Sequence, residues 1–163
     1  MKQYNYKVVG VTFQARDGSD RQQNLKALFN EELETETYLR NHDIKLEGYD
    51  YKGNDALAVF VDGKEIGNIS ADKVQDVAEI AQKASRCTVS LALNGHDVDD
   101  YETIVDQHKN KRDWKETDPY FDAEEADENY DAMMQDIKDN PIYSAVLHFI
   151  MEETDDIEST VSA

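Results

Sequence analysis

The chain reads as an α+β protein, and three features of its sequence say so. Short β-prone runs are joined by Asp62-Gly63 and Asn94-Gly95, the dipeptides of tight hairpin turns. Amphipathic helical segments separate those runs. A break in charge falls between 105 and 118, beyond which acidic residues dominate. The expected organisation is a β-rich domain over 1–104 with one or two packed helices. An acidic helical extension over 105–163 follows it, ending in a helical hairpin.

Residues 4–15 (YNYKVVGVTFQA) are aromatic and β-branched, with Val9, Val11 and Phe13 at period two, which predicts a strand. RDGSDR is a turn-like cluster. In QQNLKALFNEEL, Leu25, Leu28 and Phe29 are spaced as one helical face. Residues 35–47 are expected to be extended. ALAVFV, Asp62-Gly63 and KEIGNIS form the clearest hairpin, with a type I′ turn. Ser70 is placed to cap a helix whose apolar face is Val74, Val77, Ala78 and Ala81. CTVSLAL over 87–93 predicts a strand, and DVDDYETIV its return arm. In the extension, Asp122 with Glu125 resembles a capping box, and Ala126, Tyr130, Met133 and Ile137 form a stripe. Asn140-Pro141 ends that helix and is expected to start another, with Ile142, Val146, Phe149 and Ile150 as its apolar face.

Of 163 residues, 36 are Asp or Glu and 17 Lys or Arg, a net charge of −19. The 1–104 part carries −7 and the 105–163 part −12. Leu, Ile, Val and Phe total 35 residues, only just above the roughly one-fifth level below which chains tend to be disordered. No apolar run approaches membrane-spanning length. MKQYNYKVVG lacks the pattern of a secretory signal. The single cysteine, Cys87, forms no disulfide framework and no Cys-rich zinc site within one chain. The expected compartment is the cytoplasm, with no membrane partner, cofactor or metal.

Catalytic patterns are missing. Gly48 and Gly53 are spaced as in a phosphate loop, but Asn54 and Asp55 stand where lysine and a hydroxyl residue are required. Asp97, Asp99 and Asp100 resemble the start of a calcium loop that lacks its glycine and closing glutamate. His42, His96, His108 and His148 are scattered and read as surface or packing residues. Asn68-Ile69-Ser70 is a glycosylation sequon by composition alone. No catalytic residue is expected.

VVGVTF over 8–13, then Arg21-Gln22 and NLKAL, then GNDALAVFVDGKEIGNIS over 53–70 leading into a helix, share an order and spacing. Over residues 4–93 this pattern resembles the HIRAN domain. That small β-rich module occurs at the N-terminus of SWI/SNF-type DNA translocases, and alone in bacterial and phage proteins. The resemblance implies an OB-like barrel that binds single-stranded DNA or DNA ends without catalysis. Val59, Val61, Ile66 and Ile69 would line its interior. Gly67 sits in a strand where a bulge or a close backbone approach is expected, and Gly10 plays the same part in the first strand. Ala56 and Gly63 complete the structural set. The implied binding face holds Tyr49 and Tyr51 as stacking platforms, Arg16, Arg21 and Lys52 toward phosphates, and Asn54 and Asn68. Three positions depart from the family: Lys52 and Gly53 stand where it carries tyrosine and aspartate, and Asn68 stands where an aromatic or histidine is usual. The alternative function is an acidic interaction module or DNA mimic, which would bind a basic DNA-processing protein through 118–163.

Overall fold

A computed structural model describes residues 2–35 and 42–152. Seven strands and five α-helices run in the order β1 (Lys2–Lys7), α1 (Arg21–Thr35), β2 (Ile44–Tyr51), β3 (Asn54–Val61), β4 (Lys64–Asn68), α2 (Val74–Lys83), β5 (Arg86–Leu93), β6 (His96–Asp97), α3 (Val98–Lys109), α4 (Lys111–Thr117), α5 (Ala123–Asp139) and β7 (Tyr143–Met151). Two antiparallel sheets result, ordered β1-β7-β5-β6 and β2-β3-β4.

The turn chemistry holds at both predicted hairpins and at a third. Asp62 and Gly63 have φ of 51° and 82°, and Asn94 and Gly95 of 49° and 82°. Lys52 and Gly53 repeat that geometry at 53° and 84°, closing the β2–β3 hairpin between Tyr51 and Asn54. These positive values match the twist of the flanking strands.

The two sheets do not close into a barrel. After Lys7 the chain leaves β1, and one pair joins the sheets: Val9 N–H to Asn68 O and Asn68 N–H to Val9 O, both 2.8 Å. The expected strand over 4–15 therefore stops early. At Gly10 the backbone turns to φ 66°. Gly67 shows why this crossing needs glycine: a Cβ there would meet Val8 Cγ1 at 2.5 Å and Val9 O at 2.6 Å. The β3–β4 register also shifts between Val59 and Phe60.

The core lies between the sheets and α1. Leu25, Leu28 and Phe29 of α1 meet Val59, Val61 and Ile66 of the smaller sheet, and Leu91, Leu93, Ala145, Leu147 and Phe149 of the larger one. Phe29 sits edge-to-face against Tyr101 and Tyr143, at 5.7 and 5.6 Å. Asp20 begins α1 by accepting from Gln22 N–H at 2.8 Å.

Several further expectations need correction. The second helix of the hairpin does not form. Residues 143–151 are β7, which lies between β1 and β5 with Lys2 opposite Met151 and Val89 opposite Leu147. Its buried residues Ala145, Leu147 and Phe149 recur at period two, so the segment faces the core as a strand does. The division at 104/105 therefore does not separate two cores, because β7 supplies the middle of the first part's sheet. The return arm after Asn94-Gly95 shrinks to His96–Asp97. There Asp97 caps α3 by accepting from Asp100 N–H at 2.7 Å. Ser70 makes no backbone cap; its hydroxyl donates to Asp72. Within the expected extended segment, Thr35 ends α1, 44–47 lie in β2, and 36–41 fall outside the described residues.

The first helix of the expected hairpin forms, as α5. Asp122 caps α5, accepting from Glu124 and Glu125 N–H at 3.0 and 3.1 Å. Ala126 and Met133 are buried on its inner side. Among the described residues, no helix is long and apolar enough to cross a membrane.

Candidate nucleic-acid interface

The fold gathers four of the seven expected binding residues into one cluster. Arg21, in the first turn of α1, is 3% exposed. Its guanidinium donates to Glu65 Oε2 from Nε (3.2 Å) and Nη2 (3.0 Å), to Gly10 O from Nη1 (2.9 Å), and to Asn68 Oδ1 from Nη2 (2.7 Å). Asn68 Nδ2 in turn donates to the Tyr49 hydroxyl at 2.7 Å. Arg16 lies over the Tyr49 ring, 4.2 Å from its centre. It also pairs with Glu65 (Nε to Oε1, 3.1 Å) and with the exposed Glu47 (Nη2 to Oε1, 3.3 Å).

Glu65 organises this cluster and sequence reasoning missed it. It is 2% exposed and accepts from both arginines and from Arg16 N–H at 2.9 Å. Burial alone would push its carboxyl up. The hydrogen bonds from Arg16 and Arg21, with the Arg21 charge, outweigh that and hold it below the ordinary carboxylate range. The network fixes Arg21 as a structural residue, because its donors are turned inward and occupied. Arg16 keeps an exposed edge with its charge shared between two carboxylates.

At Gly10 a Cβ would lie 3.0 Å from Arg21 Nη1 and 3.3 Å from the Phe13 ring. Phe13, expected on a strand face, is instead 68% exposed beside this cluster. A Phe13 N–H to Gly10 O bond of 3.1 Å turns the chain outward there. Gln22 pins the same loop, donating to Val11 O at 3.1 Å and exchanging hydrogen bonds with Tyr143.

The remaining three residues occupy the β2–β3 tip. Tyr51 is 56% exposed, and Lys52 Nζ lies 5.3 Å from its ring centre. Asn54 is its cross-strand partner. Tyr49 and Tyr51, two apart on β2, share one face of the strand. Ala56 stands opposite Tyr49.

The chain matches no protein-family model, no curated protein and no solved structure.

The histidines have local partners. His42 sits between Glu32 (Nε2 to Oε1, 2.6 Å) and Asp62 (Nδ1 to Oδ2, 2.6 Å). The Glu32 hydrogen bond leads in pushing its pKa up to about 9, against desolvation. His96 meets Asp100, and His108 stacks on Tyr130 at 3.8 Å while bonding Asp127. His148 bridges Ser90 and Asn5 across three strands, and desolvation lowers its pKa. Asp97, Asp99 and Asp100 open α3. Among the described residues no group of three or more His, Cys, Asp or Glu is arranged to hold a metal ion.

Proposed function

We propose that this protein is a non-catalytic, cytoplasmic nucleic-acid-binding module of HIRAN type, in which the two bridged sheets form an opened OB-like barrel. A single strand would lie over the face carrying Phe13, Arg16, Tyr49, Tyr51 and Lys52. The observation that carries this reading is the exposure of two aromatic rings, Phe13 and Tyr51, on either side of the cluster in which Arg16 covers the Tyr49 ring and Asn68 holds its hydroxyl. Stacking on such rings is worth about 1–3 kcal/mol per base and does not depend on a basic surface. That matters in a chain of net charge −19.

Fluorescence anisotropy with short single-stranded oligonucleotides, their 3′ ends free or blocked, tests the reading. Binding at low salt is expected, with Tyr51→Ala or Phe13→Ala weakening it about five- to a hundred-fold. No binding at low salt would overturn the reading. Weakening by a blocked 3′ end would extend it to end recognition.

One observation favours a second reading, an acidic face for a basic DNA-processing protein. Glu124, Glu125, Glu128, Asp131 and Asp139 are exposed along α5, an ordered helix of 17 residues rather than a loose tail. Capture of a basic protein, lost when these carboxylates become amides, would favour it over the first.

A further inference from the structure

We propose that the free edge of β1 is a docking groove for an extended acidic peptide, which would add to the four-stranded sheet as a further strand. In an antiparallel ladder, backbone groups alternate between the two edges of a strand. Val8 N–H bonds Ala145 O of β7 at 3.0 Å, so Tyr6, Tyr4 and Lys2 also face β7. Val9 points the other way, to Asn68. By the same alternation Lys7, Asn5 and Gln3 direct their N–H and C=O groups away from β7. Among the described residues these outward groups have no backbone partner.

They open onto a groove of about 390 Å³ lined by Tyr4, Tyr6, Lys7, Ile69 and Lys73. The groove starts where the Val9–Asn68 pair ends, so an added strand would continue a pairing the fold has already begun.

Chemistry selects the occupant. Alternating donors and acceptors on the edge match a peptide backbone, whereas a nucleic-acid backbone supplies acceptors only. Lys7 and Lys73 flank the groove, and Asp72 at its rim is engaged by the Ser70 hydroxyl. A second copy pairing β1 against β1 would bring no carboxylate to these lysines, since Lys2–Lys7 contains none. An acidic strand meets opposite charge instead.

Amide hydrogen exchange on the full chain tests this with three probes of about eight units, a usual strand length: a peptide alternating glutamate and threonine, its lysine counterpart, and oligothymidine. The acidic peptide is expected to slow exchange at Asn5 and Lys7 about tenfold or more and leave Tyr4 and Tyr6, already bonded to β7, unchanged. Lys7→Glu with Lys73→Glu, both exposed positions, should weaken that peptide about three- to tenfold and favour the lysine peptide. The proposal is overturned by no protection at Asn5 and Lys7, by equal protection from both peptides, by protection from oligothymidine alone, or by dimerisation through β1. Oligothymidine binding that protects other residues bears on the proposed nucleic-acid face and not on this groove.

Discussion

Arg21 Nη2 lies 3.0 Å from Glu65 Oε2, and both side chains are out of water. Such a pair is costly to break and adds little net stability, because removing one partner strands a buried charge. Glu65→Ala is therefore expected to destabilise the fold by about 3–5 kcal/mol, read from urea unfolding. The double variant Arg21→Met with Glu65→Leu should recover much of that loss. Equal instability in the single and double variants would show that packing, rather than charge, holds this site.

His42 should make stability fall as the solution turns alkaline. Its folded pKa, about 9, lies above the ordinary 6.5, so the folded state holds a proton that the unfolded chain gives up. The contribution is complete below about pH 6.5, shrinks above it and is gone past about pH 9. Its full size is about 3 kcal/mol, from 1.36 kcal/mol per unit. Urea midpoints measured from pH 6 to 10 read it directly. In His42→Gln that slope should flatten.

Gly67→Ala tests the crossing of the two sheets. The added carbon meets Val8 and the Val9 carbonyl closer than real Cβ atoms approach, and one of those is backbone. Overpacking of this kind costs about 1–3 kcal/mol or more. The urea midpoint should drop at an unchanged slope. Gly63→Ala meets nothing within 4 Å and suffers only the strain of its positive φ, so it should cost less.

Nucleic-acid binding, where it occurs, should depend weakly on salt. Arg21 is buried and internally bonded, which leaves Arg16 and Lys52 to meet phosphates. With two contacts to a single strand, log K against log salt should fall with a slope of about −1.4. A slope several times steeper would mean that other lysines carry the binding.

Ending the chain after Asn140 should abolish cooperative unfolding, because β7 is the strand that both β1 and β5 pair with. A folded product would restore the division at residue 104.

What the sequence made legible was local. Asp62-Gly63, Asn94-Gly95 and the Asp122 cap act within a few residues, and each was readable. β7 was not, because Ile142, Val146, Phe149 and Ile150 satisfy a helical spacing while Ala145, Leu147 and Phe149 satisfy a strand. Pairing with β1 and β5 decided between them, and no local window contains those partners. Glu65 was hidden for a related reason. A glutamate on a short hairpin strand looks exposed until two arginines, 44 and 49 residues away, close over it. Phe13 fits a buried alternation, yet the turn from Gly10 carries it to the surface.

The pairing of Lys2 with Met151 also sets an order of events during synthesis. β1 emerges from the ribosome first, and its partner strand follows more than a hundred residues later. At about 5–20 residues per second that wait is roughly 7 to 30 s. Through it β1 lacks its β7 partner and β5 keeps open the edge that β7 will take, a state in which strands of different nascent chains find each other. The net charge of −19 opposes such encounters, because like-charged unfinished chains repel one another.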